Sequence, residues 1–477
     1  MTSTTYLERD MIPLDIDAEN FSEYARLYAA NPLYRAATFD ERVIEDNPYR
    51  RPVRPDDLEW IDYRTPVTRA NAQELSSLIG HRMLLNIFDT SRVLLPVRFT
   101  DERREEHRLF YSERNVLLGA AVRPYLEKHV FGFATAEAAE RGTDGTAAAV
   151  RAGLAALRDD RERATHALAG LVSGSPEPRR AATTVAIQLL AQALSGPARP
   201  LPGLLLAAGG PIERTPAIGA AGSLEQALRE VLAASGLQSG PHAYYQFYLP
   251  STLGLMNYLS AAAHNPGRVF EYLGALTAHG IHTHALHALL PTLAAAFGAP
   301  SPITVDEAAT AALPGWATDV LAFAVGRWDE AATHDFIQGM QAYAVLLDVH
   351  DHDARAQLSW VDSAAACKEK AERLHRAITE HNIAVELDTF DESAHEASTT
   401  HVHDEDRLQI IDSGEMEFYT AFEGTHRFGP GDMMFVPKHR LHGSTVLSGH
   451  CTYHQPVITP ELDARFGGSL STGAGAA

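Results

Sequence analysis

The chain reads as a multidomain α+β protein, with all-α helical bundles in its N-terminal and central parts and an antiparallel β-barrel at its C-terminus. Three observations predict this. Its 477 residues exceed what a single hydrophobic core serves. Helical periodicity runs through the first four-fifths: Phe336, Met340, Tyr343 and Leu347 fall on one apolar helix face. From about residue 383 the period switches to short β-prone runs separated by glycine turns.

The elements follow in order. Segments 69–90 and 105–130 are rich in Leu, Ala, Glu and Arg and read as helices, with loops at Asn31-Pro32 and Asp46-Asn47-Pro48. Residues 134–182 are rich in Ala, Arg and Glu and read as exposed helices. The Gly/Pro content of 195–223 forbids a long helix there. Residues 244–290 read as buried helix, interrupted near Pro250. In the barrel the runs are ELDTF, RLQIID, EMEFY, HRFGPG, MMFVP and HCTYHQPVI. Turns fall at Asp412-Ser413-Gly414 and Gly429-Pro430-Gly431-Asp432. Three units are expected: 18–133, 134–380 and 383–463.

The formal charge of −21, with no Lys/Arg stripe, argues against nucleic acid and anionic membrane as partners. Two cysteines, Cys367 and Cys451, argue against a disulfide framework and point to a reducing cytoplasm. The first residues carry no signal-peptide pattern, and no apolar run reaches membrane-spanning length.

The densest chemistry lies in Thr400-His401-Val402-His403-Asp404-Glu405 and Lys438-His439-Arg440-Leu441-His442-Gly443. On a strand, residues two apart face the same way, so His401 and His403 can present two imidazoles to one metal ion. His442, after Pro437, is placed to supply a third from a facing strand. Among 23 histidines a His-x-His pair alone carries little. The sequence His401-x-His403, Gly414, Gly431-Asp432, Pro437, His442 is what points to a metal site.

In that order the stretch 383–460 resembles a cupin. Cupins often add a glutamate four or five residues after the second histidine. Here those positions are Arg407 and Leu408, which leaves Glu405 as a weaker fourth candidate. Arg440, Tyr453 and His454 are candidates for substrate contact or catalysis, and Met416, Phe418 and Phe435 for the barrel lining.

The whole chain is similar to the N-nitrosourea-forming synthases of streptozotocin-type biosynthesis. The stretches carrying this are Asn31-Pro32-Leu33-Tyr34, Asp46-Asn47-Pro48-Tyr49-Arg50-Arg51, Phe110-Tyr111-Ser112, Phe131-Gly132-Phe133, Tyr272-Leu273-Gly274-Ala275-Leu276 and Arg440-Leu441-His442-Gly443. The resemblance implies a dimerising N-terminal region and a heme-oxygenase-like central domain that N-hydroxylates a guanidine at a diiron centre. It also implies a C-terminal cupin that holds Fe(II) through three histidines and rearranges the product into an N–N bonded group. The diiron ligands are hard to find here. Their places hold SGPARPLPGLLLAAGG, Thr277-Ala278-His279-Gly280 and Thr304-Val305-Asp306-Glu307, with at most Asp306 remaining, so no diiron centre is expected. His279, His282 and His287 could share a helix face as a replacement site. The favoured reading is plain histidines on a partly exposed helix, because no carboxylate accompanies them. His350 and His352 read as a solvated turn.

These readings lead to a cupin metalloenzyme of natural-product biosynthesis that forms an N–N bond from an N-hydroxylated, amino-acid-derived substrate. A separate enzyme would supply that substrate, and the resemblance implies a homodimer. The metal would be Fe(II), with Zn2+ possible because imidazole suits both. The alternatives are another Fe(II)/O2-dependent cupin oxygenase, a zinc-dependent hydrazine-forming cupin, and a non-catalytic binding protein.

Overall fold

The computed structural model describes residues 21–34, 47–51, 53, 65–96, 98–141, 146–194, 216–240, 243–300, 307–327, 330–394 and 400–468. Helices come first: α1 Phe21–Ala29, α2 Leu75–Asp89, α3 Asp101–Phe110, α4 Glu113–Glu140, α5 Ala147–Gly174, α6 Pro178–Leu194 and α7 Pro216–Ser235. They continue with α8 Pro250–Ala263, α9 Val269–Leu286, α10 Leu290–Phe297, α11 Glu307–Arg327, α12 Glu330–Asp362 and α13 Ala364–Glu380. Seven strands follow: β1 Leu387–Ser393, β2 Asp406–Ser413, β3 Met416–Ala421, β4 Gly424–Phe428, β5 Met433–Val436, β6 Gly443–Val446 and β7 His450–Ile458.

Local chemistry sets the helix starts. Thr100, Ser112 and Thr146 each accept a hydrogen bond from the backbone N–H three residues on, satisfying a donor the helix leaves open. Pro250 stands at the first position of α8, where its missing N–H costs nothing. It opens that helix instead of interrupting one, and the break in the apolar stretch lies at His264–Arg268.

Helices α2 and α8 form the centre of the helical part. All 14 residues of α8 are buried. Two polar contacts cross between them and the neighbouring segment: the Asn257 amide donates to the His81 carbonyl, and the Tyr245 hydroxyl donates to the Arg82 carbonyl. One apolar core runs from Phe21 to Val349. The 133/134 boundary expected from the sequence falls inside α4, whose Phe131 and Ala134 both belong to that core.

The strands form two antiparallel sheets, ordered β1-β7-β2-β5 and β4-β3-β6. Gly414 and Gly431, at φ of 83° and 88°, make the turns that a side chain would strain. The apolar face of α13 joins this sheet core through Cys367, Ala371 and Leu374. Lys370 lies 3.8 Å from the Phe435 ring centroid and pairs with Asp463 at 2.6 Å. Residues 364–380, grouped with the central helices on sequence, therefore pack with the strands. Among the described residues no helix is long and apolar enough to cross a membrane.

Helix α12 ties the two parts together. It begins in the helical core with Phe336, Tyr343 and Leu347 and ends with Trp360 in the sheet core. Near its end the Gln357 amide donates to the carbonyls of Thr420 (3.0 Å) and Leu441 (2.9 Å). A second tie is Arg82, which donates to the Thr400 carbonyl at 2.6 Å and to its hydroxyl at 2.7 Å.

The helical part buries neutral histidines. Burial pushes His81 down to about 3, and His279 and His350 down to about 4. Below the ordinary imidazole range the unfolded chain takes up protons that the folded chain refuses, so stability present above pH 6.5 is lost on acidification. The expected loss is about 2 kcal/mol per histidine at pH 5. Urea midpoints measured between pH 7 and pH 5 should fall steeply, and a flat profile would contradict this burial.

Candidate metal centre

His401 and His442 face each other across an isolated antiparallel bridge. The His401 N–H donates to the His442 carbonyl at 2.9 Å, and the reverse bond is 3.0 Å. The bridge lies just before β2 and β6, so the His-x-His pair stands at the strand's mouth and not within it. His403 is anchored by a bond from the His439 N–H to its carbonyl at 2.8 Å. His439 adopts φ 64°, a conformation side chains seldom take. Val402 points the other way, fully buried in the core shared with helices α6 and α8.

The three imidazoles converge. One ring nitrogen from each of His401, His403 and His442 lies within 4.8 Å of the others. His401 Nε2 and His403 Nε2 are 3.1 Å apart. Two imidazole nitrogens on one ion at about 2.0–2.1 Å stand about 3.0–3.4 Å apart, so this spacing fits a shared cation. His442 Nδ1 faces the Arg440 carbonyl at 2.8 Å. A carbonyl only accepts, so that nitrogen carries the proton and Nε2 holds a bare lone pair. Nε2 is buried without a partner, an orphaned acceptor that a metal ion would satisfy.

Burial and neighbouring charge keep two of these rings neutral. Burial, then His442, His401 and Arg407, holds His403 well below the usual imidazole range. Burial and His401 do the same for His442. Neutral imidazole is the form that binds metal. Around the rings, Phe418 stacks on His442 at 5.5 Å, and Trp360 meets its edge at 6.1 Å.

The other sequence candidates lie in different settings. Glu405 is exposed and lies outside the cluster, with its carboxylate 3.4 Å from Arg407. Arg440 is buried. It donates to Gln73 Oε1 at 2.8 Å and pairs with Asp353 at 3.4 Å, and its carbonyl holds His442. It therefore positions a ring. The Tyr453 hydroxyl donates to Glu392 at 2.8 Å, with the ring stacked on Phe390. His454 Nδ1 meets the Thr389 hydroxyl at 2.9 Å. Met416, Phe418 and Phe435 are buried in the sheet core.

In the helical part, His279, His282 and His287 do not meet at one point. His279 faces the Tyr343 hydroxyl at 2.8 Å, His282 faces Gln192 at 2.7 Å, and His287 donates to the Thr283 carbonyl at 3.0 Å. All three are buried, which corrects the reading of a partly exposed helix. A further correction concerns His350 and His352, read as a solvated turn. Both lie within α12, His350 buried and His352 exposed. The acidic neighbours suggested solvent, but helical spacing turns His350, Asp353 and Gln357 inward together. Gln192 and Asp353 were missed on sequence. The available signal was a polar residue recurring on an otherwise apolar helix face. Asp306 and the stretch 195–215 lie outside the described residues.

The fold and site define a helical protein that carries a three-histidine centre at the mouth of a C-terminal pair of antiparallel sheets. No family model matches the chain. It is similar to the nitrosourea synthase of Streptomyces achromogenes subsp. streptozoticus, at 27% identity over 459 residues, covering 93% of this chain and 96% of that protein. The similarity runs along almost the full length of both chains.

Proposed function

We propose that this chain is a cupin metalloenzyme of natural-product biosynthesis that forms an N–N bond from an N-hydroxylated, amino-acid-derived substrate. The observation that carries the metal is the orphaned Nε2 of His442, directed toward a cluster with His401 and His403. The full-length similarity to a nitrosourea synthase carries the reaction class.

His401, His403 and His442 would hold the ion, Fe(II) in the first instance and Zn2+ as the alternative. Three imidazoles leave coordination positions open, so a bound ion would supply Lewis acidity and, as iron, redox chemistry toward a chelating substrate. The protein's own share is positional. The Arg440 carbonyl fixes which nitrogen of His442 is free, and Asp353 and Gln73 fix Arg440. Phe418 and Trp360 present apolar surface beside His442 and exclude water from that side. The substrate would come from a separate N-hydroxylating enzyme, and the working unit would be a homodimer.

The test is to supply N-hydroxylated amino acids with Fe(II) and O2, or with Zn2+, and follow products by mass. Expected is a product containing a new N–N bond, lost in His401→Ala. No conversion with either metal, or full activity in His401→Ala, would sink the assignment.

A further inference from the structure

The three histidines stand outside the regular strands. His401 and His403 precede β2, which begins at Asp406, and His442 precedes β6, which begins at Gly443. From the sheet side they are held by the His401–His442 bridge and by the bond from the His439 N–H to the His403 carbonyl.

The helical part holds a residue next to each of them. Before His401, Arg82 of α2 donates to the Thr400 carbonyl at 2.6 Å and to its hydroxyl at 2.7 Å. That hydroxyl in turn donates to the Gln246 carbonyl. After His403, the Asp404 carboxylate accepts from the Leu75 N–H at 2.9 Å. Leu75 opens α2, and Glu74 before it makes no side-chain cap. Asp404 therefore meets a donor that the helix leaves open, and sets its charge at the positive end of the helix dipole. Before His442, the Gln357 amide of α12 grips both sides of Leu441. Its Nε2 donates to the Leu441 carbonyl, and its Oε1 accepts from the Leu441 N–H, each at 2.9 Å. One turn earlier on α12, Asp353 meets the Arg440 guanidinium, which also reaches Gln73.

This arrangement bears on metal binding. Histidine nitrogens must lie about 2.0–2.1 Å from an ion, within roughly 0.2 Å. Backbone outside a ladder lacks the regular paired bonds that hold a strand in place, so its precision must come from other contacts. Here those contacts come from α2 and α12, and Arg82 and Gln357 are both 2% exposed.

We propose that Arg82 and Gln357 are positioning residues of the three-histidine centre, so that the helical part completes a metal site carried by the sheets. The proposal rests on the reading of His401, His403 and His442 as the ligands. Neither Arg82 nor Gln357 belongs to the cluster of ring nitrogens. Arg82 acts on His401 through Thr400, and Gln357 acts on His442 through Leu441.

The probe is cobalt(II) added to the metal-free full chain, because its visible absorption reports the number and geometry of its ligands. Chelator competition measures its affinity, and urea unfolding measures stability. The variants are Arg82→Met and Gln357→Met. Where Arg82→Met fails to fold, Thr400→Val removes the hydroxyl contact and keeps the carbonyl one. Glu423→Ala is the comparison. Glu423, between β3 and β4, ties the sheets to Arg179 at 3.2 Å and Thr183 at 2.7 Å on α6, but adjoins no ligand. Cobalt affinity is expected to fall roughly 10–100-fold in Arg82→Met and in Gln357→Met, with an altered spectrum at saturation. A smaller fall is expected in Thr400→Val. Glu423→Ala should lose stability and keep affinity and spectrum. Wild-type affinity and spectrum in both methionine variants, with cobalt lost in His442→Ala, would overturn the positioning role and leave the ligand assignment standing. An equal loss in Glu423→Ala would show that docking in general governs the site, which also overturns the proposal. Full cobalt binding in His442→Ala would overturn both readings.

Discussion

Replacing His442 with alanine is expected to reduce bound metal from about one equivalent per chain to near zero. His442 supplies the one ring nitrogen of the cluster whose tautomer is fixed by a backbone carbonyl and whose lone pair is buried and unmet. Removing it leaves two imidazoles and an open face. The loss should exceed the roughly 10–100-fold that removal of an outer hydrogen-bond partner costs. Asp353→Asn provides that milder comparison. Asp353 touches no ring nitrogen of the cluster, but it pairs with Arg440, whose carbonyl orients His442. Metal content by plasma emission and affinity by competition with a chelator would separate the two variants. If His442→Ala kept a full equivalent, the ion would be bound elsewhere and the assignment of the centre would fail.

Gly274→Ala is expected to destabilise the chain by at least about 3 kcal/mol, at the upper end of overpacking costs. Helices α9 and α12 cross so closely that a Cβ on Gly274 would lie 1.8 Å from the Phe336 carbonyl oxygen. The contact is reciprocal: a Cβ on Gly339 would lie 2.0 Å from the Glu271 carbonyl oxygen. Both obstacles are backbone, so no rotamer change relieves them and the helices must part. The same crossing sets His282 against His350, at 6.5 Å between ring centroids. Urea unfolding of Gly274→Ala, Gly339→Ala and the double variant should show the two changes to be strongly non-additive, because one displacement serves both. A cost below 1 kcal/mol for either would show that the helices do not cross this closely.

The strands were legible because alternation and glycine turns are local signals. The runs beginning at residues 386, 407, 415, 426, 433 and 450 all overlap strands. On sequence, strand β6, Gly443–Val446, shows only as the facing strand that starts near His442. It has four residues, two of them Gly and Ser, and its pairing with β3 is set by the distant partner. Among the helices, composition gave existence but not extent. The polar run around His350 looked like a turn because its solvent-facing members, His352 and Arg355, stand between its buried ones.

The three histidines show where local information ends. Their identity and order in the chain are properties of the sequence, and so is the β-rich setting that brings a His-x-His pair opposite a later histidine. The sequence also carries the resemblance to nitrosourea synthases. Only the fold decided that His401 and His442 meet through a backbone bridge, that Glu405 turns to Arg407, and that His279, His282 and His287 take separate partners. The physical reason is that a side chain's partner depends on groups far along the chain. Arg440 reaches Gln73 and Asp353, and Arg82 reaches Thr400, over separations that no local pattern encodes.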